Sequence, residues 1–273
     1  MTENLSRAIA AHYGGDNIEA DILAALARAG VDVGALSPRL LATADQLHPL
    51  GPVATDFQAG LVAVGRDALA LDLGCGIGGP ARTLAQRWGC RVVGVDLSVP
   101  YLRAAVGLTA RCGLADSIWF CAADGIRLPF ADDAFDLAWC QNVAINIPDK
   151  AALYGEIHRV LAPGSAFAFT EIVAGAGEPD YPLPWARDAG LSFLEGAEDM
   201  RGQLEDAGFR IESWFDNSAE IIRAAQLARD KKRRPGPTVA IAFGADIGQR
   251  VANMTSGLAK GTLGNIVAVA RKE

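Results

Sequence analysis

The stretch Leu71-Asp72-Leu73-Gly74-Cys75-Gly76-Ile77-Gly78-Gly79-Pro80 decides how the rest of this chain is organised. The apolar run from Leu69 to Leu73 has the length of a fully buried strand, and glycines, Pro80 and a helical pattern follow it. The sequence therefore predicts a strand, a tight turn and a helix. Glycines in the turn permit a sharp bend and the close approach of a ligand, which the free N–H groups of the next helix would also face.

Two classes of cofactor use a glycine-rich turn of this kind. Gly74-x-Gly76-x-x-Gly79, with Asp96 about twenty residues further on, fits the fingerprint for dinucleotides. That fingerprint leaves Asp72 unexplained, because a carboxylate beside the turn repels a pyrophosphate. A cofactor with a positively charged ammonium group is attracted to the same carboxylate. A turn that binds no ligand is the third alternative.

The pattern Asp72-x-Gly74-x-Gly76-x-Gly78, followed by Asp96, resembles the first two motifs of the class I S-adenosylmethionine-dependent methyltransferases, among them the ubiquinone and menaquinone methyltransferase-like group. The resemblance implies S-adenosylmethionine as the cofactor, with Asp96 accepting hydrogen bonds from the ribose hydroxyls and Asp124 from the adenine amino group. A helix cap is the alternative for Asp96, and a surface turn is the alternative for Asp124. On this basis the predicted cofactor-binding residues are Asp72, Gly74, Cys75, Gly76, Gly78, Asp96, Leu97, Ala123, Asp124, Gly125 and Gln141.

Strand and helix patterns alternate after the glycine turn. Five strand–helix units in series imply a parallel sheet with right-handed crossovers, and ligands bind beyond the carboxyl ends of its strands. The resemblance adds a final antiparallel hairpin. The predicted fold is therefore α/β, with a Rossmann-like, seven-stranded, mostly parallel sheet, an antiparallel last strand and a helical cap. After the first strand, the remaining strands are predicted at Arg91–Val95, Ile118–Cys121, Ala134–Cys140, Ala166–Ile172, Phe209–Phe215 and Leu263–Ala270.

Helical patterns outside this core predict a cover over the sheet edge. We expect an N-terminal helical cap at 1–60 and a methyltransferase domain at 61–273, with cap or lid insertions at about 174–200 and 217–261. Asp45-Gln46-Leu47-His48 resembles an Asp-Gln-Phe-His element of the sarcosine and dimethylglycine N-methyltransferases, although Leu47 replaces the aromatic residue. His48 is the candidate catalytic base, because its ordinary pKa is near neutrality. A structural role at the turn of Pro49 is the alternative.

Four further residues are predicted to contact the methyl acceptor. Tyr13 and Trp185 would form aromatic walls, for which ordinary core packing is the alternative. Asn142 and Asn146 follow the fourth strand, and Asn142 could instead satisfy local backbone groups. Several relatives carry a Glu-His pair where this chain has Ile145 and Asn146, so one obvious base is absent.

The composition limits the class of partner. A net charge of −7 argues against nucleic acid, because that affinity depends on neutralising phosphates, and the short cluster Lys231-Lys232-Arg233-Arg234 is expected at a solvated helix end. No apolar run reaches the length of a membrane span, and the five cysteines lack the paired spacing of a metal site. We therefore expect a cytoplasmic monomer or homodimer without metal, nucleic-acid or membrane partners.

Together the patterns favour transfer of a methyl group from S-adenosylmethionine to an N, O or C atom of a small molecule, by in-line displacement in a covered pocket. Two alternatives stay open at this point. The first is an NAD(P)-dependent oxidoreductase, against which Asp72 is the discriminating feature. The second is a non-catalytic protein that binds S-adenosylmethionine, which a turnover measurement would separate from an enzyme.

Overall fold

The computed structural model of the chain describes residues 17–229 and 238–273, together with Leu5 and Ala8. Its centre is one seven-stranded sheet in the order β3-β2-β1-β4-β5-β7-β6. Strands β1 to β5 pair in parallel, and β7 runs antiparallel between β5 and β6, so the predicted α/β fold is confirmed. The strands are β1 (Leu69–Leu73), β2 (Arg91–Asp96), β3 (Ile118–Ala122), β4 (Phe135–Gln141), β5 (Leu161–Ala174), β6 (Phe209–Asp216) and β7 (Leu263–Lys272).

Helices pack against the sheet through two large apolar clusters. One cluster joins strands β1, β4 and β5 to α6 and α7, and the other joins β1, β2 and β4 to α4. The continuous apolar character of β1 and β4 follows from this arrangement, since a covered parallel sheet is buried on both faces. In the described chain the helices are α1 (Ile18–Arg28), α2 (Pro38–Asp45), α3 (Pro52–Gly60), α4 (Gly79–Trp88), α5 (Val99–Arg111), α6 (Lys150–Val160), α7 (Ala197–Asp206), α8 (Ser218–Arg229), α9 (Ala240–Phe243) and α10 (Ile247–Lys260).

The register of the strands brings their carboxyl ends to one edge. Leu73, the last residue of β1, pairs with Val95 of β2 on one side and with Cys140 of β4 on the other. The next residues along those neighbours are Asp96 and Gln141. Polar groups that are far apart in sequence therefore lie together beside the glycine turn, as expected for a parallel sheet.

The boundary between α6 and β5 differs from the prediction. The sequence pattern predicts a helix capped by Asp149 that ends at Gly164 and a strand that begins at Ala166, but α6 ends at Val160 and β5 begins at once with Leu161. Pro163 explains the difference, because a proline disfavours the helical conformation of the residue before it and cannot donate the next helical hydrogen bond. The cap itself is confirmed, since the Asp149 side chain accepts a hydrogen bond from Ala152 N at 3.0 Å.

The N-terminal segment is held to the sheet by buried polar contacts. Arg82 on α4 and Asp45 on α2 form a fully buried ion pair at 2.8 Å. Gly79 packs against the main chain of Asp45, where a side chain would overlap it. On α3, Gln58 donates to the carbonyl of Ala168 at 3.0 Å and accepts from Thr170 Oγ1 at 2.6 Å. These contacts fix α2 and α3 beside the glycine turn.

The segment between β5 and α7 is tied to α10. Arg250 is buried, donates to Asp246 Oδ1 at 2.7 Å and approaches the carbonyl of Pro184 at 3.5 Å. Arg187 pairs with the same Asp246, and Asn253 donates to the carbonyl of Pro182 at 3.0 Å. In the part of the chain that the structure describes, no helix has both the length and the apolar character needed to cross a membrane.

Candidate active site

A cavity of about 400 Å³ lies at the carboxyl ends of β1, β2 and β4. Its described walls come from three parts of the chain: the strand ends with their following loops, residues 45–50 of the N-terminal segment, and the helices α8, α9 and α10 with Trp185. The elements that the sequence predicts as covers thus contribute to the same cavity as the glycine turn. Only tertiary packing brings these three parts together.

Asp72 is a buried carboxylate in the wall of this cavity. Its Oδ2 atom has no hydrogen-bond partner among the described residues. Burial raises the pKa of Asp72 to about 8, the nearby Asp96 adds to the rise, and a hydrogen bond from Ala81 opposes it. A cationic group beside Asp72 would satisfy the unpaired oxygen and stabilise the ionised form. The unpaired oxygen is therefore available to a positively charged group of a ligand.

The glycine turn has the sharp backbone that the sequence predicts. Gly74, Gly76 and Gly78 have φ angles of +68°, +53° and +82°, in the region that favours glycine. The absence of side chains at these glycines also leaves space for neighbouring side chains. A Cβ at Gly74 would overlap Val143, and one at Gly78 would lie 2.8 Å from Arg82 Nη1. Packing around the turn is thus a second reason for these glycines.

Asp96 at the end of β2 is held rigidly by backbone groups. Its Oδ2 accepts from Gly76 N at 2.9 Å, and its Oδ1 accepts from Ser98 N at 2.8 Å. Burial raises the pKa of Asp96, and the bonds from Ser98 and Gly76 oppose the rise. Each carboxylate oxygen can accept more than one hydrogen bond, so capacity remains for a ligand diol. The helix cap that is the alternative role falls on Ser98, whose side chain accepts from Tyr101 N.

The other predicted cofactor residues divide into two groups. Cys75, Leu97, Ala123, Gly125 and Gln141 line the cavity, together with Asp72, Gly74, Gly76 and Asp96. Gly78 and Asp124 are not among the lining residues. Asp124 Oδ1 accepts a hydrogen bond from Ile126 N at 3.2 Å, the local turn contact that is the alternative for this residue.

His48 lies in the cavity wall within a group of polar side chains. Its Nδ1 is 3.2 Å from the carbonyl of Pro49, and a neutral ring donates from only one of its two nitrogens. Nε2 lies 3.1 Å from Thr55 Oγ1 and 3.1 Å from Gln46 Oε1. Burial lowers the pKa of His48 to about 4. The ring is therefore neutral at pH 7 and is a weak base.

The predicted acceptor residues Asn142, Asn146 and Trp185 all line the cavity. Asn142 has a φ of +59°, and both atoms of its amide are buried without partners among the described residues. Trp185 donates from Nε1 to Ser192 Oγ at 2.9 Å, so the polar end of this indole is already satisfied. Tyr13 and the cluster Lys231-Lys232-Arg233-Arg234 lie outside the described residues.

Glu171 supports the loop that carries the two asparagines, and the sequence analysis missed it. The buried Oε1 atom accepts from Val143 N at 2.9 Å and from Ala144 N at 3.0 Å. Burial raises the pKa of Glu171 to about 7, against the effect of these bonds and of Lys150. A carboxylate inside an otherwise apolar strand pattern was the available signal.

The helical insertion supplies cavity residues that no motif marks. Ile221, Phe243 and Met254 line the cavity from α8, α9 and α10. Tyr101 on α5 also lines it and donates to the carbonyl of Ala242 at 3.0 Å. Apolar residues in an amphipathic helix look the same whether they face a core or a ligand, so the pattern alone could not assign them.

Residues 71–169 match the family described as the methyltransferase domain. The chain is 34% identical over 149 residues to the methyltransferase phqN of Penicillium fellutanum, which covers 52% of this chain and 45% of the relative. It is also 34% identical over 167 residues to the sterol 24-C-methyltransferase of Saccharomyces cerevisiae, covering 57% of this chain and 43% of that protein. The chain thus spans less than half the length of these curated relatives.

Solved structures show the same fold. Geranyl diphosphate C-methyltransferase from Streptomyces coelicolor superposes with a TM-score of 0.68 at 17% identity, covering 82% of this chain and 79% of that one. The [4+2]-cyclase SpnF superposes with a TM-score of 0.63 at 26% identity, covering 81% of this chain and 80% of that one.

Residues 71–169 therefore form a methyltransferase domain, in agreement with the resemblance of the glycine turn to the class I S-adenosylmethionine-dependent methyltransferases. The cavity fits the cofactor of this class, S-adenosylmethionine. Asp72 offers an unpaired buried oxygen for the ammonium group, and Asp96 offers a rigid carboxylate for the ribose hydroxyls.

Proposed function

We propose that the protein transfers a methyl group from S-adenosylmethionine to a small, mainly apolar molecule. One observation carries this proposal: the unpaired carboxylate oxygen of Asp72 lies in the same cavity as an apolar chamber lined by the helical insertion. The first feature suits the cofactor, and the second suits an acceptor beside it. The oxidoreductase alternative is not proposed further, because the matched domain and the curated relatives are methyltransferases.

Asp72 and Asp96 divide the binding of the cofactor between them. Asp72 would pair with the ammonium group, and Asp96 would accept from the ribose hydroxyls. Gly74, Cys75 and Gly76 would contact the part of the cofactor that lies between its ammonium group and its ribose. Leu97, Ala123 and Gly125 would contact the adenosine part from the ends of β2 and β3.

The acceptor would occupy the chamber beyond Asp72. Ile145, Ile172, Trp185, Ile221 and Met254 contribute to its described walls. No lysine or arginine occurs among the described residues that line the cavity, so these walls offer no cation to a phosphate group. Relatives whose names include sterol and tocopherol methyltransferases are consistent with an apolar acceptor. We therefore propose a small apolar molecule rather than a nucleic acid or an anionic substrate.

When bound, S-adenosylmethionine would supply a methyl group on a sulfonium, and the neutral sulfide that departs is an excellent leaving group. The work left to the protein is to align the acceptor with that group and to exclude water. Positioning of this kind can lower a reaction barrier by ~7–11 kcal/mol. We propose that residues 1–60 and the two insertions at about 174–200 and 217–261 act as the cover, since each contributes described residues to the cavity.

His48 remains the candidate for the proton step. If the acceptor gives up a proton, the ring nitrogen of neutral His48 that carries no proton would receive it. The pKa near 4 makes this a weak base, so the residue is suited to an acceptor that loses its proton easily.

Transfer of label from S-adenosylmethionine with a labelled methyl group tests the proposal. The acceptors would be apolar ketones, isoprenoid alcohols, phenols and tertiary amines, with a nucleic-acid oligomer as the negative arm. We expect label on at least one apolar compound and none on the oligomer. Binding of NAD in preference to S-adenosylmethionine would contradict the proposal.

Binding of S-adenosylmethionine without methyl transfer is the second candidate, and one comparison favours keeping it. The structure of SpnF, which is named a [4+2]-cyclase, has the same fold at 26% identity. Binding of S-adenosylmethionine without methyl transfer to any acceptor would favour this role.

A further inference from the structure

We propose that Gln141 donates a hydrogen bond from Nε2 to an oxygen atom of the methyl acceptor. The acceptor is then an apolar molecule that carries a carbonyl or another lone-pair oxygen close to its methylated atom. This inference rests on the proposed function and narrows the class of its substrate.

The position of Gln141 in the sheet places it on the acceptor side of the cavity. Gln141 ends β4, and β4 flanks β1 on the side away from β2 and β3. The ribose candidate Asp96 and the adenosine candidates Ala123 and Gly125 belong to the β2 and β3 side. Asn142, with its unpaired amide, follows Gln141 directly. Gln141 therefore faces the region beyond Asp72 rather than the adenosine region.

A neighbouring tryptophan fixes which end of the Gln141 amide is left without a partner among the described residues. Trp139 Nε1 lies 3.1 Å from Gln141 Oε1, and an indole N–H can only donate. The oxygen must therefore point to Trp139, and the hydroxyl of Thr55 lies 3.2 Å from the same oxygen. The NH₂ group is left at the opposite end. Its orientation is set by chemistry and not by an arbitrary choice between nitrogen and oxygen.

That NH₂ group is buried and has no partner among the described residues. Gln141 is among the residues that line the cavity, and it is only 9% exposed. An amide nitrogen offers two N–H donors and no acceptor. A buried donor without a partner is costly, and a ligand atom that accepts its hydrogen bond removes the cost.

This donor discriminates between classes of ligand. A carbonyl, ether or hydroxyl oxygen can accept from Nε2, whereas an ammonium group or a methylene group cannot. Sites that hydrogen-bond a ligand atom reject analogues that lack it more strongly than apolar pockets reject a change of size. The apolar walls at Ile145, Ile172 and Met254 then hold the remainder of the molecule.

A matched pair of probes tests the inference on the full chain saturated with S-adenosylhomocysteine. The pair consists of 1-tetralone and 1-methylenetetralin, in which a CH₂ group replaces the carbonyl oxygen. A third probe, 1-aminotetralin, carries an ammonium group instead. Titration calorimetry would measure each dissociation constant for the wild type, for Gln141→Met and for Gln141→Glu. Gln141→Glu keeps an oxygen for Trp139, so it remains informative if Gln141→Met fails to fold. Gln203→Met on α7, outside the cavity, is the matched control.

We expect the ketone to bind the wild type and Gln203→Met at least tenfold more tightly than either analogue. In both Gln141 variants the ketone should lose this advantage, while the affinity for S-adenosylhomocysteine stays within twofold. Equal binding of the pair, no binding of the ketone, or an advantage that survives in the variants would overturn the inference. A tenfold loss of S-adenosylhomocysteine in the variants would assign Gln141 to the cofactor instead. Failure of the wild type to bind S-adenosylhomocysteine would reject the proposed function, and this inference with it.

Discussion

The two halves of the cavity are built in different ways. The proposed cofactor half lies at the ends of β1, β2 and β3, where the glycine turn and Asp96 are fixed by short-range contacts with backbone groups. The proposed acceptor half combines residues 45–50, the loop after β4 and the helices α8 to α10, which are distant from one another in sequence. The first half is a local motif, and the second exists only after the chain has folded.

This difference determines which half of the cavity tolerates substitution. A change in the cofactor half disturbs a turn whose glycines are also packed against Val143 and Arg82. A change in the apolar walls of the acceptor half alters shape at modest energetic cost, since volume-conserving apolar exchanges are usually tolerated. The same domain can therefore keep its donor and change its acceptor.

The largest expected effect is at Arg82, which joins the two halves. Arg82→Met would leave Asp45 buried without its cation and would remove the bonds to Ile77 O and Thr109 Oγ1. We expect the free energy of unfolding to fall by about 3–5 kcal/mol in urea titration.

Arg87→Met is the control for this prediction. The pair of Arg87 and Asp56 is exposed and 3.7 Å long, so its loss should cost well under about 1 kcal/mol. If the two variants lost similar stability, the link between the halves would not depend on the buried ion pair.

The second largest effect is expected at Glu171. Two variants of this residue test whether it supports the loop through its hydrogen-bond acceptor or through its negative charge. Glu171→Ala leaves the N–H groups of Val143 and Ala144 unpaired, and we expect a loss of about 2 kcal/mol in the free energy of unfolding. Glu171→Gln keeps an oxygen at the same place and should cost less than about 1 kcal/mol. Thermal and urea unfolding would measure both variants. If Glu171→Ala and Glu171→Gln lost the same stability, the charge of Glu171, and not its hydrogen-bond acceptor, would support the loop.

A smaller effect is expected at His48, where the pKa also predicts how turnover depends on pH. A base works in its neutral form, so activity falls only as the pH drops through its pKa. Since burial lowers the pKa of His48 to about 4, turnover should stay level between pH 8 and pH 6. His48→Gln should lower kcat about tenfold, below the usual ~10²–10⁴-fold, because the base is weak.

The pH profile of kcat, measured on the wild type and on His48→Gln, checks this prediction. A decline in the wild type that begins near pH 6.5 and disappears in the variant would mean that the ring titrates as an unburied histidine. An unchanged kcat in the variant would remove His48 from the proton step.

The sequence predicted the cofactor half because its signals are local. Strand β1 was predicted with its observed limits, and the positive φ angles of the glycine turn follow from its composition. The acceptor half was predicted only as a cover. The position of Glu171 behind the Val143 loop depends on the pairing of β4 with β5, which no local pattern contains. The boundary between α6 and β5 was missed because the effect of Pro163 was overlooked.

The most direct test of the account is proton release when S-adenosylhomocysteine binds. With a pKa of about 8, Asp72 is mostly protonated at pH 7 in the free protein, and an ammonium group beside it would favour the ionised form. Calorimetry in buffers of different ionisation enthalpy should therefore show release of close to one proton at pH 7, absent in Asp72→Asn, with binding at least tenfold weaker in the variant. Equal affinity and no proton release in either protein would contradict the assignment of Asp72 to the ammonium group.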